Sequence, residues 1–223
     1  MVVFTIYDLL YSTARGLKRR IWKPDYKAVI FDMGGVYYKY PVPKRADDVL
    51  KSEKDVFLSA LKQYELGDIA FPKLFEAAVQ KFDFLKGMEP REWLKRILGE
   101  KDPFITKAVQ KLKESGQFKV ALLTNIGFSD DSRSKTDVPE DIDQFDAIIE
   151  SCRYRLRKPD EEIYKVAAKE LDLKPEECIF VDDLWINCRV ADLVGMTSVE
   201  VVVGDTKTAV RKIENLLGVP LLE

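Results

Sequence analysis

Apolar residues follow two distinct rhythms along the chain. Unbroken apolar runs occur at Ala28-Val29-Ile30-Phe31, Val120-Ala121-Leu122-Leu123, Ala147-Ile148-Ile149 and Cys178-Ile179-Phe180-Val181, and a fifth, mixed but valine-rich run extends from Thr197 to Val203. Each is the length of a strand, and the first four are continuous rather than alternating, as strands covered on both faces are. Between them the spacing changes to three or four, which predicts helices near 104–114 and 206–217. Pro159-Asp160-Glu161-Glu162 opens a third, with proline early and acids in the first turn. Strands alternating with helices predict an α/β fold, a doubly wound, parallel, five-stranded Rossmann-like sheet.

Two stretches stand outside that rhythm. In residues 1–26, Phe4, Tyr7, Leu10, Ala14, Leu17 and Ile21 recur at helical spacing and lead into Lys18-Arg19-Arg20 and Trp22. This predicts an amphipathic extension whose stripe packs on the protein's own core, with a membrane-surface or partner-binding helix as the alternative. Asp8 interrupts the short apolar start, which argues against a cleavable signal peptide. No apolar run approaches the ~20 residues of a transmembrane helix. The second stretch, 44–103, carries helical stripes at Val56, Leu58, Leu61 and Tyr64 and at Leu74, Ala77, Ala78 and Phe82, with turns at Gly67-Asp68 and Gly87. It has no strand pattern and is too long for a loop, so it reads as a helical cap inserted into a core of 27–43 and 104–223. Tyr37-Tyr38-Lys39-Tyr40, followed by Pro41 and Pro43, reads as a flap or hinge between them.

Composition narrows the chemistry. The 223 residues are 46% hydrophobic and 33% charged, suiting one large domain or a core with a smaller insert. A net charge of −2 provides no general basic field, so nucleic acid is not the expected partner. Three cysteines without paired metal-type spacing fit a reduced, cytoplasmic setting. Histidine is absent, which removes Ser-His-Asp and Cys-His nucleophiles and imidazole metal sites together. Acid–base or metal chemistry must then use carboxylates, and the matching cofactor is a hard, oxygen-ligated cation such as Mg²⁺.

Those carboxylates sit at strand ends. The first run stops at Asp32, followed by Met33-Gly34-Gly35-Val36; the second stops at Thr124-Asn125; the fourth stops at Asp182-Asp183; and Lys158 stands at a loop-to-helix junction after the third. In a parallel sheet the carboxyl ends share one edge, so all four can meet in one crevice. Singly, each has an ordinary explanation as a turn residue, helix cap or solvated charge. Together they form a coherent set. Facing carboxylates repel unless a cation neutralises them, one carboxylate can attack phosphorus, and a hydroxyl with an ammonium can hold the phosphoryl oxygens.

In their order, IFDMGGV, ALLTN, RKPDEEIY and IFVDDLWIN resemble the motifs of the haloacid dehalogenase superfamily across about residues 27–205. The Asp-x-Gly-Gly-Val form is similar to the subgroup containing the N-terminal phosphatase-like domain of soluble epoxide hydrolases. The resemblance implies Asp32 as nucleophile and metal ligand, and Gly34 as a backbone ligand. It also implies Thr124 and Asn125 as phosphoryl binders, Lys158 as catalytic and phosphate-binding, Asp183 as metal ligand, and Asp182 beside the metal or supporting Lys158. Asn187 takes a supporting place.

Two positions depart from that pattern. Gly34 stands where the family's phosphatases carry a second aspartate as general acid and base, and Arg155 replaces a glycine usual before the lysine. The resemblance therefore implies a Mg²⁺-dependent phosphatase acting on a small phosphorylated metabolite, weakened at the proton-transfer step. The alternatives are a 2-haloacid dehalogenase-type hydrolase, whose relatives also lack the second aspartate, and a non-catalytic Mg²⁺, phosphate or partner-binding protein. Either a monomer or a homodimer is compatible with the sequence. Gly204-Asp205 imitates a Gly-Asp metal motif one strand too late and reads as a turn.

Overall fold

The computed structural model describes residues 25–39, 56–97 and 99–222. Residues 1–24, with the basic run and the apolar stripe of the expected extension, lie outside the described residues, as do residues 40–55. Five parallel strands form one sheet in the order β3-β2-β1-β4-β5: β1 (Ala28–Phe31), β2 (Lys119–Thr124), β3 (Ala147–Glu150), β4 (Cys178–Asp182) and β5 (Thr197–Glu200). All four pairings are parallel. The first strand is central, and the chain leaves it toward β2 on one side and β4 on the other.

The α-helices in chain order are α1 (Val56–Glu65), α2 (Phe71–Lys81), α3 (Pro90–Ile97), α4 (Pro103–Ser115), α5 (Ser151–Tyr154), α6 (Glu161–Glu170), α7 (Trp185–Leu193) and α8 (Thr206–Leu217). Strand residues alternate between two cores, as the period of two requires. Val29, Phe31, Val120, Leu122, Ile179 and Val181 pack with Ile105, Val109 and Leu112 of α4 and Val210 and Ile213 of α8. On the opposite face, Ala28, Ile30, Ala121, Leu123 and Phe180 pack with Ile163, Tyr164 and Ala167 of α6 and Ala191 of α7. Both faces of the sheet are thereby covered, which is why the central strands are continuously apolar through their interiors, whereas the edge strand β5 (Thr-Ser-Val-Glu) is not.

Helices α1 to α3 enclose a separate core of Phe57, Tyr64, Phe71, Leu74, Ala78 and Leu85. Trp93 stacks on Phe71 at 5.6 Å between ring centroids. Of the expected α1 stripe, Leu58, Leu61 and Tyr64 pack into this core, whereas Val56 is exposed and Phe57 is buried beside them. Residues 37–39 also depart from a simple flap. Tyr37 is fully buried against Phe145, with its hydroxyl donating to Asp141 Oδ2 at 2.5 Å, and Tyr38 forms a bridge with Lys101. Lys39 N–H donates to the Glu100 carbonyl at 2.8 Å, so the two connections to the helical block run side by side. Asp102 fixes their base. It is buried, caps α4 through the Phe104 and Ile105 amides at 2.9 and 3.0 Å, and accepts the Thr206 hydroxyl at 2.8 Å.

Candidate active site

The register of β1 determines what surrounds Asp32. Phe31 pairs with Val181 on one side and Leu122 on the other, and the Asp32 amide donates to the Val181 carbonyl at 2.8 Å. Asp32 thus leaves the sheet beside Asp182, at the point between β1 and β4 where the strand order reverses. Such switch points are where open α/β sheets hold ligands. Beyond Asp32, Gly35 adopts φ 78°, a conformation glycine tolerates without penalty, and its amide donates to the Tyr38 carbonyl at 2.8 Å. The turn returns Tyr37 and Tyr38 over the strand end, with the Tyr38 amide on the Met33 carbonyl at 2.8 Å.

Lys158 joins the carboxylates. Its Nζ lies 2.6 Å from Asp32 Oδ1 and 2.7 Å from Asp182 Oδ2, and the side chain is 2% exposed. Its backbone is clamped at both ends by one residue: the amide donates to Asn125 Oδ1 at 2.8 Å, and Asn125 Nδ2 donates to the Lys158 carbonyl at 2.9 Å. Burial alone would lower the lysine's pKa, but Asp182 and Asp32 together raise it, so the ammonium persists. For Asp32 the balance is reversed. Burial dominates, Asp182 and Asp183 add to it, and Lys158 opposes, which leaves the carboxyl raised from 3.8 to about 7.

Asp182 is saturated by protein donors. Oδ1 accepts from the Leu184 amide at 2.8 Å and Asn187 Nδ2 at 3.0 Å, and Oδ2 accepts from Lys158 and from Asn187 Nδ2 at 3.1 Å. Asp32, Asp182 and Asp183 each bring an oxygen within 4.8 Å of the others. An all-oxygen set of three carboxylates against one ammonium fits a hard divalent cation such as Mg²⁺. Thr124, the last residue of β2, is buried and one position beyond the register partner of Asp32.

The expected residues thus converge at one sheet edge, with Asn187 among them. Gly204-Asp205 does not join them: Asp205 Oδ1 caps α8 through the Thr208 amide at 3.2 Å. The basic segment resolves into separate jobs. Arg155 occupies the left-handed region at φ 54° and pairs with Asp68 at 2.7 Å, while Arg157 pairs with Glu65 at 2.5 Å. Its third member, Arg153, pairs with Glu150. The three cysteines are buried, and burial raises their thiols to about 11 for Cys152 and about 12 for Cys178 and Cys188, so none is a reactive thiolate. Sequence reasoning missed Glu65 and Ser151, which sit where the helical block meets the sheet edge; Glu65 ends a cap helix with no local motif, and Ser151 directly follows β3, the run after which only Lys158 was singled out.

The haloacid dehalogenase-like hydrolase family model matches residues 26–191. The chain belongs to that family. It is 29% identical over 196 residues to a sesquiterpene phosphatase of Aspergillus oryzae, covering 86% of this chain and 97% of that protein. It is 35% identical over 120 residues to bifunctional epoxide hydrolase 2 of Sus scrofa, covering 52% of this chain and only 21% of that much longer protein. Among solved structures it is similar to a HAD family enzyme of Bacteroides thetaiotaomicron in complex with magnesium and inorganic phosphate, with a TM-score of 0.58 and 19% identity over 81% of this chain and 96% of that one. The family is one of enzymes, hydrolases by description. Among the described residues no helix is long and apolar enough to cross a membrane.

Proposed function

We propose that this HAD-like hydrolase is a Mg²⁺-dependent phosphatase of small phosphorylated metabolites, acting through an aspartyl-phosphate on Asp32. The observation that carries the reading is the placement of Asp32 against Lys158 at 2.6 Å within a three-carboxylate cluster. A dehalogenase-type nucleophile has no need of that acidic pair on β4. The phosphatase relative favours the same choice. Asp32, Asp183 and the Gly34 carbonyl would hold the cation, with Asp182 supporting through Lys158 and Asn187. When bound, Mg²⁺ supplies positive charge to the phosphoryl oxygens and keeps Asp32 ionised.

In the first step an Asp32 carboxylate oxygen attacks phosphorus, the bond from phosphorus to the ester oxygen breaks, and the alcohol departs. Water then attacks the aspartyl-phosphate, releasing inorganic phosphate and restoring the carboxylate. Thr124 and Asn125 orient the phosphoryl group, and Lys158 offsets its charge through both steps. The departing oxygen needs a proton that Gly34 cannot give, so water or the substrate supplies it. General acid–base assistance is worth ~10²–10⁴-fold, so its loss slows the enzyme without abolishing turnover. Esters with good leaving groups suffer least.

Residues 44–103 act as the cap that selects the ester. Leu184, Trp185 and Ile186 are exposed directly after Asp183, a rim suited to an apolar ester group. The test is hydrolysis of an aryl phosphate and a panel of sugar and alkyl phosphates, with Mg²⁺ and with chelator. Turnover that needs Mg²⁺ supports the reading, and its absence across the panel overturns it. The glycine at position 34 favours one competing reading, dehalogenation, which predicts halide release from a short 2-halo acid with chelator present.

A further inference from the structure

A part-buried ion pair joins the helical block to the segment that carries Lys158. Glu65, the last residue of α1, is 8% exposed and accepts from Arg157 Nε at 2.5 Å. Its backbone carbonyl accepts the Ser151 hydroxyl at 2.6 Å, and Ser151 Oγ in turn accepts the Ile126 amide at 2.9 Å, just beyond Thr124-Asn125. Directly beside this contact, Gly127 has no room for a Cβ, which would lie 2.4 Å from the Tyr64 carbonyl. Helix α1 is therefore seated by close backbone approach, and Glu65 emerges from it toward the loop that carries Lys158.

Arg157 immediately precedes Lys158, and its carbonyl accepts the Asp160 amide at 2.8 Å, closing the turn around the lysine. Lys158 is close enough for its charge to act on Glu65. Three residues along, Asp68 pairs with Arg155, but this second contact is exposed: its side chains are 67% and 38% accessible, against 26% and 10% for Arg157 and Glu65. The outer pair is screened by solvent, whereas the inner one leaves an uncompensated buried charge if either partner is removed. We propose that the Glu65–Arg157 pair transmits the seating of the helical block to the Lys158 loop, making Glu65 a positioning residue of the site.

The test uses the full chain and compares Glu65→Gln with Asp68→Asn. Hydrogen exchange reads the loop directly and does not depend on the phosphatase reading. In Glu65→Gln, amide exchange across 155–160 should rise about tenfold or more while β1 and β4 stay protected, and Asp68→Asn should change it by less than about threefold. On an aryl phosphate, Glu65→Gln should lower kcat about tenfold with KM little changed, and adding Arg157→Gln should cost nothing further. A uniform rise in exchange across the sheet, or no rise at 155–160, overturns the proposal, as do fully additive losses in the double variant. Should Glu65→Gln fail to fold, Arg157→Lys carries the same comparison, since it keeps the charge but lacks Nε. If the wild-type protein hydrolyses no phosphate ester, the phosphatase reading fails and the exchange result still decides this one.

Discussion

Replacing Lys158 with methionine isolates the electrostatics of the site, because methionine fills similar volume and brings no charge. The wild-type ammonium sits 2.6 and 2.7 Å from two carboxylates, and oxygens of Asp32, Asp182 and Asp183 lie within 4.8 Å of one another. Two unit charges that far apart repel by about 3 to 4 kcal/mol at an effective dielectric of ~20. Breaking a buried pair from one side typically costs about 3–5 kcal/mol, which agrees. At roughly 2–4 °C per kcal/mol for a chain of this size, the metal-free variant should melt about 6–16 °C below wild type at pH 8.

The deficit should depend on pH in a defined direction. Asp32 is already raised from 3.8 to about 7 in the presence of Lys158, and loss of the cation raises it further. Between those values the folded protein binds more protons than the unfolded chain, so stability falls as pH rises through the window and is regained toward pH 5. Lys158 itself has a pKa raised above 10.5, so its charge is constant between pH 5 and 8 and the pH dependence comes from Asp32. Calorimetric melting of both proteins in chelator at pH 5 and pH 8 reads the difference. A deficit equal at the two pH values, or none at pH 8, would refute the repulsion argument.

Three further substitutions probe other joints. Asp102→Ala removes the α4 cap and the Thr206 contact together, and urea unfolding should show a loss of about 2–3 kcal/mol. Gly127→Ala drives a methyl to 2.3 Å from the Tyr64 ring; its cost of about 1–3 kcal/mol should appear as faster exchange in α1 and α2 rather than in the sheet. Gly34→Asp should raise kcat on a poor-leaving-group ester by up to ~10²-fold or more, with little effect on an aryl ester, if the missing proton donor is what limits turnover.

The sheet and its chemical edge were legible because the central parallel strands are short, unbroken apolar runs, and three of the five runs end at a residue whose type carries chemistry. Asp32, Thr124 and Asp182 follow from that pattern alone, and the four motifs in sequence add Lys158. The rest depends on distance in three dimensions. Nothing local distinguishes Glu65 from any solvated helix-end carboxylate; it becomes buried only because α1 seats on Gly127 and Ser151. Tyr37 reads as part of an aromatic flap until Phe145 and Asp141, over a hundred residues away, enclose it. Arg155 stands out in sequence only as a replacement for glycine, and its left-handed backbone gives the reason a glycine would suit that position. Helical spacing identified Leu58, Leu61 and Tyr64 of the α1 stripe but placed Val56 on it where Phe57 is buried, since adjacent apolar residues at a helix start leave the edge of the face open.

The central claim is that Asp32 carries the phosphoryl group. The direct measurement is a single-turnover reaction of the full chain with an aryl phosphate and Mg²⁺, quenched in acid and examined by mass spectrometry of its peptides. The account predicts a phosphoryl mass addition on the peptide containing Asp32, absent in Asp32→Asn along with turnover. Turnover that survives Asp32→Asn, or a phosphoryl group found on any other residue, would contradict it.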